Sequence, residues 1–474
     1  MDALTRQIHY QRDLAAFLAI ETEFRLFEWY EDDVPVWRII RYPWFQLALQ
    51  RRASVDFVGS PVSERWFKKW KRRTAELITL QRRSPERGGR CDILVVGHDR
   101  RVLEHGIWRD IYVDPILPIL QKAFDVRVAE PRFSGPHRTP AATPDLRYLD
   151  NYQRTSRRLK ETKHDKPLSS VSEKLCMTLQ ERFKHQGLDN APCLAEAARN
   201  AVASWRSGRE AYQHLLNKLM PKALVVVNYL TCQPIIAAAQ ACGINTIELQ
   251  HGSPGSDKLN YNFPAGVHGV GFPDYFFSFG PFWQQRVSLP IAEGNMRSIG
   301  FQFLNEKRAA NLDRDQEADR TVLVISQPIQ ECQQALATMA CRIKKKYGQA
   351  YNVIWRPHPS DRPGEHLIEL SKAGITISEP QTSLYKAFQS AGTVVGVYST
   401  ALFEAVAFGH RPQLIIVRNE GSMNALVAAG GADVVENVDD IQFNAVPSTG
   451  LEYELFAVLK DEELLEQFQQ VVNE

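Results

Sequence analysis

The sequence predicts an α/β fold built from two doubly wound, Rossmann-like parallel-sheet domains behind a helical amino-terminal extension. Three observations predict it. From residue 91 onward, short runs of Val, Ile, Leu and Phe alternate with stretches of helical periodicity, the pattern of a parallel sheet covered on both faces. A polar stretch, NEKRAANLDRDQEADR at 305–320, interrupts this alternation, which then starts afresh. At 474 residues the chain also exceeds what one core accommodates, so two domains of ordinary size are expected. The expected division is a helical, aromatic and basic segment at 1–90, a first Rossmann-like domain at 91–310, a second at 318–450, and a carboxy-terminal helix at 451–474.

The first ninety residues read as helical and aromatic, most clearly in WRIIRYPWFQLAL at 37–49. CDILVVGH at 91–98 is a buried strand, followed by a helical stretch near 114–124 and a second strand, DVRVAEP, at 125–131. Residues 134–170 are rich in Pro, Thr and Arg and read as loop, while helical periodicity resumes over 171–219. Strands are then expected at 223–230, 245–251 and 274–280, with a helix over 234–242. In the second series, strands are expected at 321–328, 352–359, 375–378 and 394–397. The helices between them fall at 329–347, 366–372 and 384–390, and another follows at 401–408. The last 24 residues read as an acidic amphipathic helix.

Bulk composition narrows the function. With 44% hydrophobic and 24% charged residues, the chain has the make-up of a soluble protein. A formal net charge of +2 argues against a dedicated nucleic-acid binder. The seven cysteines (Cys91, Cys176, Cys193, Cys232, Cys242, Cys332, Cys341) are dispersed without a CxxC pair, as in a reduced compartment. The start lacks the apolar stretch of a signal peptide, and no run approaches membrane-spanning length, so a cytoplasmic location is expected. Within 51–90, twelve Lys/Arg face four Asp/Glu, with Trp66, Trp70 and Leu77 near one helical face. That arrangement fits a helix on an anionic membrane surface or polymer. It equally fits a solvated helix whose aromatics pack inward.

In a doubly wound fold the chemistry sits just past strand ends. VVGVYSTALFEAVAFG at 394–409 reads as a strand, then Tyr398-Ser399-Thr400, then a helix. A hydroxyl pair at a helix start suits a phosphate, because unpaired N–H groups and the positive end of the helix dipole face it. Ser399 as a simple cap is the plain alternative. Glu404, further along that helix, is in reach of a ribose hydroxyl or is a solvated acid. After the strand at 352–355 come Arg356-Pro357-His358-Pro359, where prolines hold Arg356 and His358 in set directions for a pyrophosphate. Ser326 and Gln327 end the strand at 321–325 and could bond a base or phosphate. In the first domain, Gln250-His251-Gly252-Ser253 follows a strand and makes His251 a general base or phosphate contact. Gly97-His98-Asp99-Arg100 faces the same cleft as an acceptor-side element. Plain turns are the alternative at each place. P-loop, HExxH and GxSxG motifs are absent, GVHGVG at 266–271 has the wrong spacing for a dinucleotide fingerprint, and Asp313-Arg314-Asp315 falls in the expected linker.

QHGSPG, RPHPSD and VYSTALFEAVAFG, in that order over roughly 220–415, resemble motifs of GT-B glycosyltransferases of bacterial surface polysaccharide synthesis. The set is similar to bacterial sialyltransferases and Kdo transferases, and to CDP-glycerol glycerophosphotransferases. The resemblance implies a GT-B fold, no metal or other cofactor, and a nucleotide-sugar donor, first of all a CMP-linked ulosonic acid. It implies a capsule or lipopolysaccharide glycan, or a glycolipid, as acceptor. His358 and Ser399-Thr400 would hold the donor phosphate. His251 would match the base of the glycerophosphotransferases. The acidic motif that supplies the base in sialyltransferases is not evident, so Asp99 or Asp257 stays open as the base. A polyol-phosphate transferase, a nucleotide-sugar epimerase and a non-catalytic GT-B scaffold subunit remain alternatives.

Overall fold

The computed structural model describes residues 3–53, 79–133, 135–188, 192–267, 269–310, 317–358, 365–379, 382–417, 421 and 423–474. Seven parallel strands form the first sheet: β1 (Ile93–Val96), β2 (Val126–Glu130), β3 (Arg147–Tyr148), β4 (Ala223–Val226), β5 (Asn245–Leu249), β6 (Tyr275–Ser278) and β7 (Met296–Ser298). Their spatial order is β7-β6-β5-β4-β1-β2-β3. Six more form the second: β8 (Thr321–Ile325), β9 (Asn352–Arg356), β10 (Thr376–Ile377), β11 (Thr393–Gly396), β12 (Gln413–Ile415) and β13 (Asp433–Val435), in the order β10-β9-β8-β11-β12-β13. All pairings are parallel. The central strands are buried along their whole length, which is why they read as unbroken apolar runs.

Each sheet begins at its middle, runs one way, then returns past its first strand. The reversals fall between β1 and β4 and between β8 and β11, and it is outside the carboxyl ends of strands at such points that ligands bind. This is the GT-B architecture that the motifs imply: two doubly wound domains with a helical amino-terminal extension.

The extension consists of helices Ala3–Glu23 and Val36–Ala53 with a short hairpin, Tyr30–Glu31 and Val34–Pro35, between them. Phe17, Trp37, Trp44 and Phe45 build its core together with Phe183 of helix Ser170–His185. The basic pattern around Trp66, Trp70 and Leu77 lies outside the described residues, as do Asp313-Arg314-Asp315 and Pro359-Ser360-Asp361.

Several local expectations need correction. The segment 134–170 is not all loop: it contains β3, helix Asp150–Leu159 and a π-helical turn, Lys160–His164. That helix has little apolar content, and it is held by Tyr152 stacking on Tyr212 and by the Ser156–Ser207 hydroxyl pair at 3.2 Å. The periodic stretch at 171–219 is two helices, Ser170–His185 and Leu194–Leu219. Helix Gln302–Ala310 enters the polar stretch, and the last 24 residues form two helices, Leu451–Leu455 and Asp461–Val472. An unexpected hairpin pairs Arg101–Glu104 with Ile107–Asp110.

The two sheets share one continuous hydrophobic core. Phe282 and Trp283, just past β6, meet Phe403 on the helix after β11, with Trp283 and Phe403 ring centroids 4.9 Å apart. Trp283 Nε1 donates to Leu455 O at 2.8 Å. Gly280 permits this approach, since a Cβ there would lie 2.3 Å from the Glu454 carbonyl. Helix Asp461–Val472 then returns the chain to the first sheet, with Phe468 edge-on to Phe277 and Asn245 Nδ2 donating to Val471 O. Phe403→Ala should therefore lower the stability of the whole chain by about 3–5 kcal/mol. A urea titration followed by tryptophan fluorescence checks this, and an unchanged midpoint would contradict it.

Candidate active site

The loop after β1 is anchored by a buried carboxylate. Asp110 accepts from His98 N at 2.9 Å and from Tyr112 N and Val113 N at 3.0 and 3.1 Å. Burial raises its pKa to about 6, against the pull of these N–H groups and Arg101. Arg101 lies behind the loop and binds Glu130, and His137 sits between Glu130 and Asp150. Although burial opposes its charge, those two carboxylates raise the His137 pKa to about 9. The network ties the loop to β2 and to the helix at 150–159.

His98 behaves in the opposite way. Its Nδ1 accepts from Arg100 N at 3.0 Å, which places the proton of the neutral ring on Nε2. Burial, then the charge of a protonated His251, lowers its pKa to about 4. The two imidazoles lie with centroids 5.7 Å apart.

His251 follows β5, and beneath it lies Glu248, fully buried on that strand. Glu248 Oε1 accepts from Tyr261 OH at 2.8 Å and Tyr229 N at 3.3 Å. His251 Nδ1 is 3.4 Å from Tyr261 OH and 3.7 Å from Glu248 Oε1. Burial, then the nearby Glu248 charge, keeps the Tyr261 hydroxyl protonated by pushing its pKa well up. Gln250 is buried too. Its Oε1 accepts from Phe279 N and its Nε2 donates to Gly252 O, so it holds the turn in place and does not face the cleft. Gly252 has φ +65°, and a Cβ there would lie 4.0 Å from Thr400 Oγ1 in the second domain. Ser253 is half-buried beside it.

On the second sheet, Ser399 is extended and its Oγ accepts from Ala401 N at 3.2 Å, capping helix Thr400–Ala407. Tyr398 is half-buried against apolar side chains. Glu404 stands one turn beyond Thr400 and is buried, with Arg100 Nη2 of the first domain 3.6 Å from its carboxylate. Burial raises the Glu404 pKa, while Arg100 and Tyr385 pull it back. Glu404 thus faces a protein cation, not open solvent. Arg100 also donates to Tyr112 OH at 3.1 Å.

The turns after β9 and β8 lie beside this helix start, because β8 pairs with both β9 and β11. Arg356 donates to Thr382 O at 2.9 Å, and burial lowers its pKa. His358 is half-buried two residues further on. Ser326 and Gln327 are buried, with Ser326 N donating to Arg356 O at 3.0 Å. The structure therefore brings His98, His251, Gly252, Thr400 and Glu404 together, with Arg356 and His358 along the same sheet edge. Neither candidate carboxylate forms an ion pair with His251: the Asp99 side chain is exposed with Oδ1 3.3 Å from His98 Nδ1, while Asp257 is largely buried, pairs with Lys258 at 2.8 Å and has Gly421 of the second domain beside it. Glu248, Tyr261 and Tyr112 were not among the candidates, and Arg100 entered only as part of the acceptor-side segment after β1. An acid inside the apolar strand NTIEL was the one visible signal for Glu248.

Among the described residues, no group of three or more His, Cys, Asp or Glu side chains could hold a metal ion. A groove of about 860 Å³ opens elsewhere, lined by Gln240, Val267, Phe272 and Ile291 among others, and contains none of the site residues.

No protein-family model matches the chain, and no curated protein matches it in sequence. Solved structures with a similar chain trace include a UDP-N-acetylglucosamine 2-epimerase from Rickettsia bellii, at 12% identity and TM-score 0.46, covering 80% of this chain and 96% of that one. TarM matches at 10% identity and TM-score 0.45, covering 82% and 100%. The wall teichoic acid polymerase TagF matches at 12% and 0.37, covering 86% and 91%. At these values the likeness carries no argument about activity, and the fold rests on the strand orders above.

The environment of His98 has a direct consequence. In a ring-nitrogen NMR titration, His98 should stay neutral well below the ordinary histidine range, with its midpoint near pH 4. His251→Ala should move that midpoint upward by removing a neighbouring positive charge. A His98 midpoint near 6.5 in the native chain would contradict this environment.

Proposed function

We propose that the chain is a GT-B transferase that moves a group from a nucleotide-linked donor to an acceptor hydroxyl, with His251 as general base. The observation that carries this reading is the His251–Glu248 pair at the edge of one sheet, set against the helix start at Thr400 on the other. With Nδ1 turned toward Glu248 and Tyr261, Nε2 of His251 is the nitrogen left for an acceptor. When it takes the proton, the imidazolium forms beside a buried carboxylate that stabilises it. His98, neutral with its proton on Nε2, is a hydrogen-bond donor alongside. Charge developing on the leaving phosphate is met by the helix start at Thr400 and by Arg356 and His358 along the same edge. Arg100 adds a cation from the acceptor side: burial opposes its charge, and Tyr112, Glu404 and Tyr385 more than offset that.

The donor we propose first is a CMP-linked ulosonic acid, and the acceptor a capsule or lipopolysaccharide glycan assembled in the cytoplasm, at the inner membrane face. Among the described residues no helix is long and apolar enough to cross a membrane, and the attachment we propose is peripheral. A second reading, polyol-phosphate transfer from a CDP-linked donor, is favoured by one observation. His251 has the buried carboxylate of Glu248 beneath its ring, whereas neither Asp99 nor Asp257 forms an ion pair with it.

Thermal-shift measurements against CMP, CDP, UDP and GDP separate these readings. Stabilisation by CMP supports the ulosonic-acid donor, and a response to CDP alone supports the polyol type. A response confined to UDP or GDP would sink both. In the transfer assay, His251→Ala should reduce turnover about 10²–10⁴-fold while nucleotide binding persists. Donor consumption without acceptor would instead indicate an epimerase. Glycan output unchanged by His251→Ala, with no nucleotide binding, would indicate a scaffold.

A further inference from the structure

Arg41 lies on helix Val36–Ala53 of the amino-terminal extension, far from the cleft in sequence, and is fully enclosed. Its Nε and Nη2 bind the buried carboxylate of Glu21, which also accepts from Trp37 Nε1 at 2.7 Å. Its Nη1 crosses to the first domain and donates to Leu259 O at 2.6 Å and Asn262 O at 2.7 Å. The guanidinium also lies over the rings of Phe27 and Phe263, 5.2 and 5.5 Å from their centroids.

Those two carbonyls bracket the 3-10 turn Leu259–Tyr261. Between β5 and β6 this turn is the only helical or strand element among the described residues, so its placement depends on anchors of this kind. Asn262 Nδ2 closes it further by donating to Gly255 O and Lys258 O at 2.7 and 2.8 Å. At its end stands Tyr261, whose hydroxyl contacts both Glu248 and His251.

We infer that Arg41 is a positioning residue for His251, acting through the turn that carries Tyr261. The inference rests on the reading of His251 as the base. It also gives the helical extension a task in the chemistry: one planar cation fixed on Glu21 sets two carbonyls, and they set the hydroxyl that orients the Glu248–His251 pair. Lysine cannot replace it, because an ammonium lacks the planar fork that reaches a carboxylate and two carbonyls at once.

The test compares Arg41→Lys, Tyr261→Phe and the double variant. Each single change should lower kcat about tenfold, with KM for the donor unchanged because the donor seat is on the other sheet. The double variant should be no slower than Tyr261→Phe alone, since Arg41 acts through Tyr261. Without any substrate, the His251 ring-nitrogen signals should shift in Arg41→Lys in the same direction as in Tyr261→Phe. If Arg41→Lys does not fold, Arg41→Gln with Glu21→Gln removes both charges together and serves in its place. Unchanged His251 signals in a folded variant, or losses that multiply in the double variant, overturn the inference. Because the spectrum needs no substrate, the two readings fail separately. A wild-type chain that turns over no donor while the signals shift overturns the base assignment and leaves the clamp supported.

Discussion

The contact between Trp283 and Phe403 governs the site, because it sets the carboxyl edges of two independent sheets face to face. Polar interfaces between domains of one chain tend to permit relative motion, whereas a continuous apolar core resists it. Here the core runs from β6 across Phe282, Trp283 and Phe403 to Leu455. Once those rings are packed, Gly252 must lie against Thr400, and Arg100 must lie near Glu404. The approach has an electrostatic cost. Glu404 is removed from water inside the seam, and a carboxylate there demands a cation. Arg100, from the opposite domain, supplies it.

Environment assigns different roles to residues of the same type. His98 and His137 belong to neighbouring loops on the first sheet, yet one is held neutral and the other charged. The difference lies in what surrounds each ring. His137 has a carboxylate on both nitrogens. His98 has a backbone N–H on one nitrogen and a second imidazole as its neighbour. A charged His137 stiffens the wall behind the loop, while a neutral His98 keeps a donor at its mouth. The same logic separates the acids: Glu248 can stabilise an imidazolium because it is buried under the ring, whereas Asp99 is largely screened by solvent.

Much of the scaffold was legible, since buried parallel strands have to be apolar along their whole length. VLVI, VVG and FFS announce β8, β11 and β6 with no help from distant residues. Helix Asp150–Leu159 was not legible because its stability comes from contacts with helix Leu194–Leu219, not from an apolar stripe of its own. At the site, His251 and Thr400 could be placed because they directly follow strands. Glu248 could not be assigned a task, since its meaning depends on Tyr261, in a segment without periodicity. Arg41 was less accessible still, being separated from Leu259 by 218 positions. Local pattern locates strand ends, but it does not show which distant side chain braces them.

Ser399 illustrates how a residue singled out in the sequence takes the plainer of its two readings. Its Oγ already bonds Ala401 N, and its carbonyl accepts from Leu402 N at 3.0 Å. The plain capping role is therefore fulfilled. A phosphate arriving at this helix start would meet Thr400 first, through its hydroxyl and amide, with Ser399 keeping the helix end in shape behind it. Thr400 is also the residue that faces Gly252. Because residue 252 lacks a Cβ, the space of one methyl group is left open between the two domains at this point. An alanine there would fill that space and strain a backbone at φ +65°. The glycine thus keeps room beside Thr400 on the side of the first domain, and the cap holds the helix start that borders it. Their meeting across the seam is what brings the histidines of the first domain up to the helix start of the second.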